Sequence, residues 1–530
     1  MYTEPVAYRE GGVGMKIGSG DGFARKLEKS AAVLVPALLC CFLLGLTFAA
    51  FTETASLNMN DPSGEHIDFR DDNIFLNGIL ALIYLCVLYL FYRRCGTIPL
   101  RLMERVLLLW AFLFGAAFIA STKLQPPVYS DSYLVTYAAR RAAMGDFAQL
   151  GEVYFRRFPF QLGYVLYTEL FFRAADLVLG GAPEGYRWLA LQGVNLLWLM
   201  LAWHALVQIS GLLFHRERVQ KLTMLLLFFC LQPLLSVTFL YGNIPAFACG
   251  IVGVWTFLLF LDGGKLRHAL LTALLLGLAA ALKLNLLIFC VAVGGVWLVE
   301  LAKKPSLRSL ICLGLAAACV LLIPKLPQKL YELRTGLSFG SGIPMIAWMA
   351  MGFDEGHAAS GWYREYHTVE VFARNGEDAA ATAADARQFL SERLREFKGA
   401  PAEALQFFRR KLCSQWNEPS CGSLWLNQVQ LSFSEKGRFY DFLCGSGARR
   451  TANVMNQVQQ LVFLGALLGM PGLWRRKRIS QCLLPVIVLG GLLYHLLFEA
   501  KSQYALPYFM LLVPLAAWGL SRLFSRIEHR

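Results

Sequence analysis

Apolar runs of roughly 14 to 27 residues recur along the whole chain, most of them near the length a helix needs to cross a bilayer. A helix satisfies its own backbone hydrogen bonds, so it is the form such runs take in lipid. The candidate spans are 31–52, 74–92, 106–121, 188–214, 223–240, 244–261, 268–282, 286–301, 310–323, 455–470, 481–498 and 505–523. Composition agrees: 56% of the 530 residues are hydrophobic and only 16% are charged, where a soluble domain keeps about a quarter charged. The expected fold is an all-α polytopic membrane protein with about twelve transmembrane helices. Arg25, Lys26 and Lys29 precede the first run, which exceeds the core of a cleaved signal peptide and reads as an uncleaved span.

The net charge of +14 would suggest nucleic acid in a soluble protein. Here the basic residues cluster in short loops, so the charge reads as topology, with no nucleic-acid partner. Arg93, Arg94, Arg101 and Arg105 form one cluster, Arg216, Arg218 and Lys221 a second, and Arg475, Arg476, Lys477 and Arg478 another. The loop after the first span is acidic instead, with Glu53, Asp61, Glu65, Asp68, Asp71 and Asp72 against Arg70. The positive-inside rule then places both termini in the cytoplasm of a multi-pass plasma-membrane protein. The apolar stretch 160–179 contains Glu169, Arg173 and Asp176 and reads as a helix on, or dipping into, the outer leaflet.

This gives a tail, 1–30, and a transmembrane module, 31–323, with a first large external loop, 122–187. An external lobe, 324–454, and C-terminal transmembrane helices, 455–530, follow. In the lobe, 376–396 reads as a helix, broken at Gly399, Ala400 and Pro401 before a second one to Leu412. Most of the 13 cysteines lie in apolar runs as small apolar residues. Cys413, Cys421 and Cys444 fall in a polar segment, where two of them can form a disulfide. No Cys/His metal spacing occurs.

The first large loop carries PPVYSDSYLVTYAARRAAMGDF. Ser130 suits an N-cap and Gly145 a C-cap, with Leu134, Val135, Ala138 and Ala142 as one apolar stripe between them. Asp131 sits in the first turn, where the helix dipole favours an ionised carboxylate. There it can accept the proton of an attacking hydroxyl; on spacing alone the position better suits an ordinary helix start. Arg140, Arg141, Arg156 and Arg157 follow among Tyr154, Phe155, Phe158 and Phe160. Cations among aromatics suit a lipid phosphate, or an ordinary interfacial belt with snorkelling arginines. Lys283, beside Asn285, and Glu499 with Lys501 interrupt apolar runs. Ionisable groups at such depth are functional candidates, although Lys283 also fits a tight turn reaching for water.

The layout resembles the GT-C membrane glycosyltransferases, especially the family of protein O-mannosyltransferases and the lipid A aminoarabinose transferase. Those proteins carry an acidic residue in the first large external loop, followed by juxtamembrane helices. The matching strings here are YSDSY and GDFAQLGEVYFRRFPFQLGYVLYTELFF. Their late E-x-x-x-R-Y-x-x-P-like segment corresponds to EAKSQYALPY, matching Glu499, Tyr504 and Pro507, with Gln503 in place of the basic residue and Lys501 nearby. Many members have two adjacent acids, whereas Asp131 stands between serines. The resemblance thus implies no firm cofactor; metal use is left open, with no divalent metal predicted.

It implies an inverting transferase that moves a sugar from a polyprenyl-phosphate lipid to a glycan, lipid or protein acceptor. Asp131 is the expected base. Arg140, Arg141, Tyr154, Arg156, Arg157, Lys283, Asn285, Glu499, Lys501 and Tyr504 are the expected substrate-binding residues. The alternatives are a transporter or flippase of lipid-linked saccharide and an O-antigen-type ligase or polymerase.

Overall fold

A computed structural model describes residues 20–58, 65–123, 130–430 and 436–529. Asp61 lies outside these residues, as does the PPVY part of the first-loop string. The described chain is almost entirely helical. Its one sheet is a hairpin in which Glu53–Leu57 pairs antiparallel with Ile67–Asp71.

Among the described residues, nine helices are long and apolar enough to cross a membrane. They are Gly22–Thr52, Ile74–Thr97, Leu100–Ser121, Gly185–Phe214, Asn243–Gly263, Leu284–Lys303, Leu307–Thr335, Ile479–Leu497 and Ser502–Glu528. Three further expected spans fall on helices that differ from this pattern. Glu217–Phe229 and Leu231–Thr238 form a pair bent by 49°, and Leu266–Leu282 is short. Ala448–Trp474 is long but begins with the polar stretch ARRTANVMNQVQQ. It crosses Ser502–Glu528 so closely that a methyl group on Gly519 would overlap the Gly465 carbonyl oxygen. Small residues allow this approach where lipid supplies no hydrophobic drive between helices.

The basic loops gather at one end of the bundle. Lys221 Nζ donates to the Cys95 carbonyl at 2.8 Å, Arg218 pairs with Glu528 at 2.9 Å, and Arg476 Nη1 donates to the Leu213 carbonyl at 2.9 Å. The hairpin, the first large loop and the lobe lie at the other end. Ala55 N donates to the Asn417 carbonyl at 3.3 Å, and Ile67 N to that of Ala358 at 3.2 Å.

Helix Leu162–Leu179 stays at that second end. Gln161 beside its start meets Tyr241, and Asp176 accepts from Arg187 Nε at 2.5 Å. Arg187 opens helix Gly185–Phe214, whose far end reaches the basic loops through Leu213. Glu169 is buried and accepts from Tyr331 at 2.6 Å, Arg334 at 2.7 Å and Arg173 at 2.9 Å.

The lobe holds helices Ala379–Gly399 and Pro401–Trp416. The first starts three residues later than expected because Asp378 caps the amides of Ala380 and Ala381 at 2.7 and 3.0 Å. Ile343, Ala347, Phe353, Phe372 and Leu390 form its core. Lys411, fully buried, donates to the Gly352 carbonyl within the lobe and fastens the lobe to the bundle by donating to the Leu496 carbonyl at 3.0 Å. All thirteen cysteines are free, so Cys413, Cys421 and Cys444 form no disulfide.

Candidate functional site

Helix Ser130–Ala143 presents Asp131 in its first turn. Gly145, at φ 86°, closes the helix, its amide returning to the Ala142 carbonyl at 3.0 Å. The buried face is Ser132, Val135, Thr136, Ala139 and Ala142, with Ala138 beside it. Leu134, expected in the stripe, is instead exposed, because the helix rolls to pack on Leu162–Leu179.

Lys283 stands in extended backbone between helix Leu266–Leu282 and the turn Leu284–Leu286. Two glycines shape its surroundings. A methyl on Gly163 would overlap the Ala281 carbonyl oxygen, and one on Gly242 would sit 2.7 Å from the Leu282 carbonyl oxygen. Gly242, at φ 81°, also starts helix Asn243–Gly263, so Tyr241 just before it faces the same turn.

Tyr241 joins the charged groups. Its hydroxyl donates to Asp131 Oδ2 at 2.6 Å and accepts from Gln161 Nε2. Lys283 Nζ lies 3.9 Å from the centroid of the same ring and 5.6 Å from that of Tyr504. A desolvated cation over an aromatic face gains about 2 kcal/mol or more. Tyr504 Oη donates to Glu499 Oε2 at 3.2 Å. Lys501 pairs with Glu65 at 2.8 Å and stands 4.0 Å from Glu499.

These groups line one cavity of about 1100 Å³. Asp131, Lys283, Asn285, Glu499, Lys501 and Tyr504 all face it, with Glu65, Gln161, Tyr241 and His495. Phe158, Phe160, Ile343, Met345 and Trp348 line it as well. The cavity is thus part charged and part apolar, the usual chemistry of a small-molecule or lipid site.

Burial pushes the Lys283 ammonium down to about 8, against the opposing pull of Asp131 and Glu499. Burial pushes the Glu499 carboxyl up to about 7, with Lys501 opposing. Burial disfavours the Lys501 charge too, yet Glu65 and Glu499 hold it above its usual value. Burial, then Asp131, raises Tyr241 far above an ordinary phenol, so it stays a neutral donor.

Of the other expected binding residues, Tyr154 is closest. It is half-buried against Phe155 and Phe158 at 5.1 and 4.9 Å with its hydroxyl inside, and burial, then Asp131, raises that hydroxyl. The four arginines expected at a lipid phosphate do not line the cavity. Each is held by a carboxylate. Arg140 meets Asp176 at 2.6 Å and Glu184 at 2.7 Å, and Arg141 meets Asp146. Arg156 and Arg157 meet Glu377 at 3.2 and 3.5 Å.

Tyr241, Gln161, Glu65 and His495 complete the site without having stood out as site residues in the sequence. The signal for Tyr241 is the Tyr-Gly-Asn break between two apolar runs. Among the described residues no group of three or more His, Cys, Asp or Glu side chains can hold a metal ion.

Fold and site together define a polytopic α-helical membrane protein with a charged cavity at one end of its bundle. Comparison with known protein families, curated proteins and solved structures gave no match.

Proposed function

We propose that the protein is an inverting glycosyltransferase. It moves a sugar from a polyprenyl-phosphate donor to a cell-envelope acceptor at the external face of the plasma membrane, within a GT-C-like bundle of about twelve spans. The observation that carries this reading is the sharing of Tyr241 by Asp131, at its hydroxyl, and Lys283, over its ring. A base and a cation therefore face one cavity from the two sides of a neutral donor.

In the reaction, Asp131 takes the proton of an acceptor hydroxyl. That oxygen bonds to the anomeric carbon as the bond to the phosphate oxygen breaks. The electron pair leaves on the lipid phosphate, where Lys283 and Lys501 stabilise the growing charge. A single displacement inverts the anomeric centre. Glu499 and Tyr504 are placed to accept and donate hydrogen bonds to sugar hydroxyls. The apolar wall at Phe158, Phe160 and Trp348 suits the start of the polyprenyl chain. Basic loops at the opposite end support an external cavity.

A strain lacking the protein should accumulate a polyprenyl-phosphate sugar and lose one envelope substituent. Unchanged lipid-linked pools and unchanged glycans would remove the reading.

A further inference from the structure

A second charged feature lies at the other end of the bundle. Ser502–Glu528 starts beside the cavity at Lys501 and carries Trp518 roughly 25 Å away, at about 1.5 Å of rise per residue. The guanidinium carbons of Arg476, Arg216 and Arg522 lie 4.5, 5.6 and 5.7 Å from the centroid of Trp518. Arg475 is close enough to Arg522 for their charges to repel. Burial, then Arg216 and Arg522, depresses Arg476 below its usual value.

Among the described residues none of these four arginines has a carboxylate partner. Their neighbours do: Arg218 pairs with Glu528 at 2.9 Å and Lys221 with Glu217 at 2.7 Å. Trp518 Nε1, Arg522 Nη1 and Ser521 Oγ are buried without a hydrogen-bond partner. The first two converge over Gly472, where a methyl would overlap Arg522 Nη1. Uncompensated positive charge around an indole is costly unless an anion completes it.

We propose that this cluster binds the phosphate headgroup of an anionic membrane lipid. Arg476 gives one N–H to the Leu213 carbonyl at 2.9 Å, and the remaining guanidinium N–H groups around the indole match phosphate oxygens. The indole belongs at headgroup level. A lipid fits better than free phosphate because Leu468, one turn from Gly472, exposes an apolar surface on which an acyl chain can lie. The inference is independent of the transfer reaction.

Native mass spectrometry of the full-length protein, with phosphatidylglycerol, phosphatidylcholine or inorganic phosphate added, tests it. Phosphatidylglycerol should be retained over phosphatidylcholine. The double variant R476Q/R522Q should retain about tenfold less of it, a loss of about 1.4 kcal/mol. R216Q/R475Q removes two exposed groups without disturbing packing and should also weaken retention several-fold. R93Q/R94Q, the same charge change in another basic loop, should stay within about twofold of the parent. Equal loss in R93Q/R94Q, no loss in either arginine pair, or retention of inorganic phosphate as strong as that of the lipid would overturn the proposal.

Discussion

The hydroxyl of Tyr241 donates to Asp131 Oδ2 at 2.6 Å, tying the loop before helix Asn243–Gly263 to the first turn of helix Ser130–Ala143. One oxygen of Asp131 is thereby held, and the carboxylate keeps a fixed direction. Tyr241→Phe keeps the ring under Lys283 and removes the hydroxyl that donates to Asp131 and accepts from Gln161. It should lower kcat about tenfold with little change in donor KM and cost about 1 kcal/mol of stability. Steady-state kinetics and thermal melting check this; an unchanged kcat would show that the bond does not orient the base.

The two cavity lysines should separate with pH. Lys283 sits near 8 because it is buried, whereas Lys501 is held above its usual value. As pH rises from 7 to 9 the cavity loses the Lys283 charge, so KM for the phosphate-linked donor should rise several-fold. Stability should move the other way. The unfolded chain holds that proton up to about 10.5 and the folded one only to about 8, so stability increases with pH across that window. Lys283→Arg, charged throughout, should flatten the KM profile. A flat profile in the parent protein would contradict the role of Lys283.

The packing of the Lys283 turn predicts a sharp contrast between two glycines. Gly163→Ala drives a methyl into the Ala281 carbonyl, while Gly193→Ala meets nothing within 4 Å. The first should cost about 1–3 kcal/mol through overpacking and reduce activity by moving Lys283. The second should leave melting and activity unchanged. Equal behaviour of the two variants would mean that the turn tolerates displacement.

The cations and acids set inside apolar sequence were legible because such positions are expensive in lipid. Lys283, Glu499 and Lys501 stand out that way, and all three face the cavity. Asp131 was legible from its helix-start position. The engagement of Arg140, Arg156 and Arg157 was not, because their partners Asp176, Glu184 and Glu377 are remote in sequence. Tyr241 was hidden for another reason: a tyrosine at the end of an apolar run is the ordinary interfacial residue. Leu134 misled because an apolar stripe shows that a helix has a buried face but not how far it rolls when it packs.

Orientation is testable by labelling from outside in a background lacking exposed Cys41 and Cys86. Cysteine at Gln388 in the lobe should react, and cysteine at Gly96 or Lys477 should be protected. Labelling at Lys477 from outside would put the cavity in the cytoplasm and remove the polyprenyl-phosphate donor reading.

The most direct measurement is transfer by Asp131→Asn, on purified protein with its lipid donor. Asparagine keeps the size of the side chain and is also a good residue at a helix start, so the fold and membrane insertion should survive. Only the charge and proton affinity are lost. Asp146→Asn is the control. Asp146 is engaged by Arg141 and caps the Ala148 amide at 3.0 Å, away from the cavity. The account predicts a fall of on the order of a hundredfold or more for Asp131→Asn and near-normal transfer for Asp146→Asn. Near-normal transfer by a folded Asp131→Asn protein would contradict it.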